Sequence, residues 1–170
     1  MTTDLDHWRD HPERWPELAY AEARDEDGDP ADAHHAAREA VLRLLLRDRR
    51  DTDAVFLRYL LDQEIRYHDA GWGYDDSLGL AALLLSECGE ADDVWQLSEA
   101  KYTNFDTSGG LDAFLLFPAG VAATLEHVER SDHPDRDDVS ADLREHLVHD
   151  PGLDRDRAAR LAGLREHYSA

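Results

Sequence analysis

The stretch SLGLAALLLSECG, residues 77–89, constrains the fold of this chain most, because it is apolar on every side of a helix. A helix of that kind is stable only when other elements cover more than one of its sides. Leucine and alanine dominate the apolar residues of the whole chain, while isoleucine occurs once and valine is scarce. That usage favours helices over strands. The sequence therefore predicts an all-α fold in which this helix is buried.

Apolar residues at helical spacing predict further helices on both sides of it. The first begins after Ala31 with Asp32 as its cap, and the second begins at Asp51 or Thr52 and ends at Gly71. Later helical patterns cover residues 90–105, 109–130, 139–150 and 152–168.

The chain of 170 residues is predicted to form one domain over residues 31–170, preceded by an irregular N-terminal segment, residues 1–30. Trp8 and Trp15 are expected to pack that segment on the domain. Within it, WPELAYAEARDE predicts a short helix with Pro16 in its first turn, and DEDGDP predicts a turn.

Three stretches share one pattern, an apolar triplet followed by a short break and a second helix: LLLRDRRDTDAVFLRYLL, LLLSECGEADDVWQLSEA and LLFPAGVAATLEHVER. Their second helices are offset by 39 residues (Val55 to Val94) and 31 residues (Val94 to Leu125). Each unit is a helical hairpin with one face that a neighbour must cover. We therefore expect a short array of about three stacked helical hairpins, with the last two helices as a C-terminal helical cap.

The segment GEADDVWQLSEAKYTNF resembles the turn and second helix of a tetratricopeptide-type repeat. Val94 stands where that family favours alanine, and the regular 34-residue spacing is missing, so a HEAT-like array is the alternative resemblance. The string WQLSEAKYTNFDTSGGLD also resembles a signature of uncharacterised bacterial helical proteins. The two repeat resemblances imply an extended surface for binding other proteins.

The net charge of −21 limits the classes of partner. Binding to nucleic acid or to anionic lipid headgroups requires basic residues, so neither a nucleic acid nor a membrane is expected. A basic protein would be attracted. Adaptation to salt in a GC-rich genome is the other explanation, because lysine, asparagine and isoleucine are depleted together. The polar N-terminus and the absence of a long apolar run favour a cytoplasmic location.

No sequence motif points to catalysis. A phosphate-binding loop, a nucleophile elbow and a zinc-binding H-E-x-x-H motif are all missing from the sequence. Acid–histidine pairs such as Glu64 with His68 are typical of surface ion pairs, and the single cysteine, Cys88, has no partner for a disulfide. The sequence therefore predicts no catalytic residue, no metal site and no cofactor.

The loop YHDAGWGYDD, residues 67–76, is a candidate for recognition. Trp72 and Tyr74 lie between glycines and are followed by Asp75 and Asp76, and exposed aromatic side chains dominate binding hot spots. The alternative is that Trp72 packs under the next hairpin as a core residue.

The stretch AKYTNFDTSGGLD, residues 100–112, holds the only lysine and the only asparagine of the chain, Lys101 and Asn104. Lys101 falls in the last turn of its helix, where a cation is favourable, and Asn104 tolerates the left-handed backbone of a helix exit. The next helix has three candidate caps, Asp106, Thr107 and Ser108. Lys101 either forms a buried bridge to Asp106 or Asp112, which locks two hairpins together, or contacts a partner.

The sequence thus favours a non-enzymatic protein–protein interaction module whose partner is another protein of basic character. The contacts are expected from the second helix of the middle hairpin and the loop after it. The predicted binding residues are Trp72, Tyr74, Asp75, Asp76, Lys101, Asn104, Asp106 and Asp112. One alternative is an acidic inhibitor or immunity protein that neutralises a basic toxin or nuclease. A second is an enzyme in which Glu64, His68, Asp75, Asp76 and Lys101 converge. The oligomeric state is left open.

Overall fold

Nine α-helices and a two-stranded sheet form the described part of the chain, residues 4–170, in this computed structural model. The helices are α1 (Leu5–Asp10), α2 (His35–Arg47), α3 (Ala54–Ala70), α4 (Asp76–Ser86), α5 (Val94–Tyr102), α6 (Phe105–Gly110), α7 (Val121–Arg130), α8 (Arg136–His149) and α9 (Leu153–Ser169). The strands are β1 (Glu22–Arg24) and β2 (Pro30–Asp32), and 3₁₀ turns cover Pro12–Leu18, Asp51–Asp53, Ala91–Asp93 and Ala113–Leu116. The predicted all-α fold is confirmed.

Helix α4 is the centre of the core. Every residue from Ser77 to Ser86 is buried, and the helix packs against α2, α3, α5 and α9. The prediction that this apolar segment is covered on more than one side is therefore confirmed. The leucines of α2 and α3 that face it are buried as well, and burial of each such side chain contributes roughly 1.5–3 kcal/mol.

The first two predicted hairpins, α2–α3 and α4–α5, are each joined through a 3₁₀ turn. Each turn ends on a buried aspartate that pairs with an arginine. Asp53 lies 2.8 Å from Arg9 of α1, and Asp93 lies 2.5 Å from Arg58 of α3. Helix α9 packs on both α2 and α4, so the end of the chain returns to the first hairpin. The repeat-like organisation stays a prediction.

The prediction of an irregular N-terminal segment is wrong for residues 4–30, which form α1, a 3₁₀ helix and β1. Pro16 lies inside that 3₁₀ helix rather than in the first turn of an α-helix. Trp8 is buried and Trp15 stacks on Phe56, with ring centroids 4.8 Å apart. These tryptophans anchor the segment as predicted.

The acidic stretch before α2 forms a β-hairpin in which Glu22 pairs with Asp32. Helix α2 begins at His35, so Asp32 is not the cap that the sequence predicts. Its carboxylate is buried and accepts hydrogen bonds from the backbone N–H groups of Ala21 and His34, at 2.9 and 3.0 Å. The guanidinium group of Arg38 lies 2.5 Å from this carboxylate and holds it in the interior, away from a capping position.

Gly79 allows α4, α9 and the loop after α3 to approach one another. A Cβ at this position would lie 2.1 Å from the hydroxyl oxygens of both Tyr168 and Tyr74. We expect Gly79→Ala to lower the free energy of unfolding by about 1–2 kcal/mol, because overpacking outweighs the gain in helix propensity. Gly163→Ala in α9 is the matched control: no atom lies within 4 Å of the position that its Cβ would take, so the variant should gain roughly 1 kcal/mol. Urea unfolding measures both, and equal effects of the two would contradict this account.

Candidate functional site

The loop between α3 and α4, residues 71–75, carries the aromatic residues that the sequence singles out. Gly71 follows α3, Gly73 has a φ of +107°, and Asp75 caps α4 by accepting a hydrogen bond of 2.8 Å from the N–H of Ser77. Trp72 is 91% exposed. The interpretation of Trp72 as a core residue under the next hairpin is therefore wrong, and its indole ring is presented to solvent.

Tyr74, in contrast, is partly buried and packs against two other elements. A Cβ on Gly110 of α6 would lie 2.6 Å from the Tyr74 ring, and the hydroxyl oxygens of Tyr74 and Tyr168 are 3.5 Å apart. Tyr74 thus fixes the loop to α6 and α9, and only part of its ring is available to a partner.

Asn104 joins this loop to α6. Its side-chain oxygen accepts a hydrogen bond of 2.8 Å from the N–H of Thr107, and its amide nitrogen donates to the carbonyls of His68 and Gly73, at 2.9 and 3.3 Å. The Asn104 backbone is extended, with a φ of −149°, so the predicted left-handed conformation is wrong. Asn104 itself is the N-cap of α6. Of the three predicted caps, Thr107 takes part, because its hydroxyl accepts a hydrogen bond of 3.0 Å from the Asn104 N–H and completes a capping box.

Lys101 belongs to α5, and its side chain reaches the other end of α6. Its ammonium group donates to the carbonyls of Ser108 and Leu111, at 2.6 and 2.8 Å. The residue is only 5% exposed, and burial lowers the pKa of its ammonium group. The predicted bridge to Asp106 or Asp112 is wrong, because the ammonium binds backbone carbonyls. The alternative role of Lys101 as a partner contact is also wrong, since the side chain lies beneath the surface.

The predicted acidic residues lie in and next to the 71–75 loop and α6. Asp76, Asp106 and Asp112 are exposed, while Asp75 is partly exposed. Burial raises the pKa of the Tyr74 hydroxyl, and the charges of Asp76, Asp112 and Asp75 raise it further. The charges of three of the predicted carboxylates therefore act on one tyrosine.

A buried polar network lies behind the loop. Arg38 and Glu64 form an ion pair at 2.8 Å, and both side chains are fully buried. Arg38 also faces Asp32 at 2.5 Å, without the alignment of a hydrogen bond. The Ser77 hydroxyl donates to Glu64 at 2.7 Å. Sequence reasoning missed this network, although Arg38 falls on the same helical stripe as the core residues of α2.

Two histidines connect the network to the loop. Nδ1 of His68 lies 2.8 Å from the Glu64 carbonyl and Nε2 accepts from the N–H of Asp75 at 3.1 Å, so His68 is the neutral tautomer with its proton on Nδ1. His35 lies 3.4 Å from Asp75. The hydrogen bond with Asp75, and then the charge of Glu64, raise the pKa of His35.

These groups do not form a nucleophile relay. The same atom of His35, Nε2, faces both the Ser77 hydroxyl at 3.0 Å and Asp75 at 3.4 Å, whereas a serine triad uses the two ring nitrogens separately. Ser77 is also buried. Of the residues that the enzyme alternative brings together, Glu64, His68 and Asp75 do converge, while Lys101 lies apart and Asp76 faces His167 at 3.9 Å.

An open acidic groove runs along α5. Its two cavities, of about 470 and 590 Å³, share Glu99 and Tyr102. The first lies beside α3 and the second beside the start of α8. The groove ends at Thr103 and Asp69, next to the residues through which Asn104 joins α6 to α3. We call it the α5 groove; its carboxylates are Asp62, Asp69, Glu99, Asp135 and Asp138, and its one arginine is Arg66.

Outside these sites, the thiol of Cys88 and possible metal ligands remain to be described. Burial raises the pKa of the half-buried Cys88 thiol. Residues 4–170 contain no group of three histidine, cysteine or acidic side chains arranged to hold a metal ion. Among the helices of the same residues, none has both the length and the apolar character that crossing a membrane requires.

Residue contacts therefore define one frame, the 71–75 loop held against α6, beside one open acidic groove.

Comparison with other proteins adds no relative: no protein-family model, no curated protein and no solved structure matches this chain.

Proposed function

We propose that this chain is a protein-binding module that contacts its partner through Trp72, Phe105 and the α5 groove. The observation that carries the proposal is the exposure of two large aromatic side chains, 91% for Trp72 and 86% for Phe105. We call these two residues the aromatic pair. Exposed aromatic rings leave apolar surface in water, and such rings are the residues that dominate protein–protein hot spots.

The frame beneath the aromatic pair supports this role. Trp72 directly precedes Gly73, and Phe105 directly follows Asn104, so the hydrogen bond from Asn104 to Gly73 places the two rings on adjoining elements. Asn104 also holds the end of α3. Because the backbone is fixed before binding, less conformational entropy is lost when a partner covers the rings.

The charge around the aromatic pair supports a basic partner. The α5 groove has five carboxylates and one arginine, and Asp106, which follows Phe105 in sequence, and Asp76, at the start of α4, are exposed. The partner segment should therefore combine an apolar anchor, which covers the rings, with lysine or arginine residues for the groove. Complementary charge of this kind mainly accelerates association.

The test is affinity capture with three versions of the chain, followed by measurement with the purified partner. The double variant Trp72→Ser, Phe105→Ser removes the aromatic pair. Val55→Ser is the matched control, because Val55 is also an exposed apolar residue but lies at the start of α3. We expect one basic protein to be retained by the wild type and the control, and the double variant to bind it at least about tenfold more weakly.

Equal retention by all three versions, with unchanged melting temperatures, would refute the proposal. The salt dependence of the affinity distinguishes this proposal from the inhibitor alternative. A phosphate-mimicking inhibitor should lose most of its affinity in salt and keep it in the double variant, whereas a module anchored by two aromatic rings should show the opposite pattern.

A further inference from the structure

A small cavity opens beside Trp72, on the loop side of α3. Its volume is about 150 Å³, which is below the range of roughly 300–1,000 Å³ typical of whole-ligand pockets. It therefore fits a compact chemical group rather than a complete ligand. Apart from two loop glycines, it is lined by Pro30, Tyr67, His68, Trp72, Tyr74 and Asp75. We call it the aromatic cavity.

The walls of the aromatic cavity favour a cation. Three aromatic side chains, Tyr67, Trp72 and Tyr74, line it, and the electron-rich faces of such rings attract positive charge. The lining contains one carboxylate, Asp75, and neither lysine nor arginine. His68 contributes no charge, because its Nε2 accepts a hydrogen bond from the Asp75 N–H while Nδ1 donates to the Glu64 carbonyl. Asp75 forms its ion pair with His35 and accepts its hydrogen bond from Ser77 through Oδ1. These two contacts leave the other carboxylate oxygen, Oδ2, unused.

The hydrogen-bonding capacity of the cavity selects among cations. The carbonyls of Gly73 and His68 already accept from Asn104. A guanidinium group carries five N–H donors and a primary ammonium three, which is more than Oδ2 of Asp75 alone can accept, and donors that are buried without acceptors are costly. A fully alkylated ammonium has no donor to satisfy, and aromatic faces with one nearby carboxylate are the environment that it prefers.

We propose that the aromatic cavity binds a trimethylammonium group, held by the faces of Tyr67, Trp72 and Tyr74 and by the charge of Asp75. This inference goes beyond the proposed protein-binding function, with which it shares Trp72 but not Phe105 or the α5 groove. Trp72 forms the open wall, and its indole is 91% exposed. The group can belong to a small molecule such as choline or to a trimethylated lysine, because both carry the same trimethylammonium cation.

The first experiment compares choline with 3,3-dimethyl-1-butanol, which has the same shape and no charge. The purified chain is titrated with each, and tryptophan fluorescence and NMR shifts are followed. We expect choline to bind at least about tenfold more tightly than the neutral alcohol, because only the cation gains from the rings and from Asp75. Equal affinities for the two compounds, or no binding of choline, would overturn the proposal.

Variants then locate the binding site. Trp72→Ala removes one wall, and Asp75→Asn removes the charge while keeping an N-cap for α4. Both should weaken choline binding by about tenfold or more without changing the circular dichroism spectrum. Phe105→Ala removes an equally exposed ring that does not line the cavity, so it should leave choline binding unchanged. An equal loss in Phe105→Ala would refute the assignment to the cavity.

A peptide arm distinguishes the sources of the group. Short peptides with trimethyllysine or unmodified lysine are titrated in the same way. Tighter binding of the trimethyllysine peptide than of choline assigns the cavity to a protein ligand, and the reverse order assigns it to a small molecule; both results support the cavity. Unmodified lysine that binds as tightly as trimethyllysine would overturn the proposal. Loss of partner binding in Phe105→Ala with choline binding intact would separate this cavity from the protein-binding surface.

Discussion

Replacing Arg38 with methionine is expected to lower the free energy of unfolding by about 3–5 kcal/mol. Arg38 lies within 2.8 Å of Glu64 and 2.5 Å of Asp32, and all three side chains are buried. Without the guanidinium group, two carboxylates stay in the interior without their ion-pair partner, and Glu64 keeps only His35, 4.0 Å away. The desolvation that the ion pairs had offset then acts fully against the folded state.

Equilibrium urea unfolding measures this loss, and Arg66→Met provides the matched control on α3. Arg66 pairs with Asp62 at 2.9 Å on the exposed surface of the helix, and such pairs contribute roughly 0–1 kcal/mol. If Arg38→Met cost no more than Arg66→Met, the buried network would have no special role. Arg38→Met combined with Glu64→Leu should recover part of the loss, since it removes one of the two uncompensated carboxylates.

Local sequence rules predicted the helices well and the N-terminal segment poorly, and α4 and Asp32 illustrate the difference. An apolar surface on all sides of α4 leaves burial as its only stable arrangement, so its environment follows from residues 77–86 alone. The position of Asp32 depends on Arg38, whose own position depends on Glu64. A capping rule uses only neighbours in sequence, and here an ion pair from the core decides where the carboxylate lies.

The candidate site likewise has features that the local sequence indicated and contacts that it could not predict. The sequence indicated that Trp72 and Asn104 are unusual, because an aromatic residue between glycines and a solitary asparagine are both uncommon. It could not place them together, since the bond between Asn104 and Gly73 joins residues 31 positions apart. Nor could it predict α6 as a separate short helix, so the carbonyls that Lys101 binds were not visible as partners and carboxylates were chosen instead.

Lys101→Met is expected to lower the free energy of unfolding by about 2–3 kcal/mol. Methionine keeps an apolar stem of similar length, while the hydrogen bonds to the carbonyls of Ser108 and Leu111 are lost. Those carbonyls belong to the end of α6, where no further helical turn satisfies them. Lys101→Arg should not restore stability, because the planar guanidinium is larger than the ammonium and the site is almost closed to solvent.

A double variant that combines Lys101→Met with Asn104→Ala tests whether the two residues stabilise α6 together. Asn104 caps the first turn of this six-residue helix and Lys101 binds its end. A helix this short has no independent stability, so loss of either group should unfold it locally, and the second substitution should then cost less than it does alone. Urea unfolding of the four chains, with hydrogen exchange at the amides of α6, measures the coupling. Strictly additive costs would mean that Lys101 stabilises the core beneath α6 rather than the helix. Coupled costs would explain why the only lysine and the only asparagine lie so close in sequence, since both would serve the helix that supports the aromatic pair.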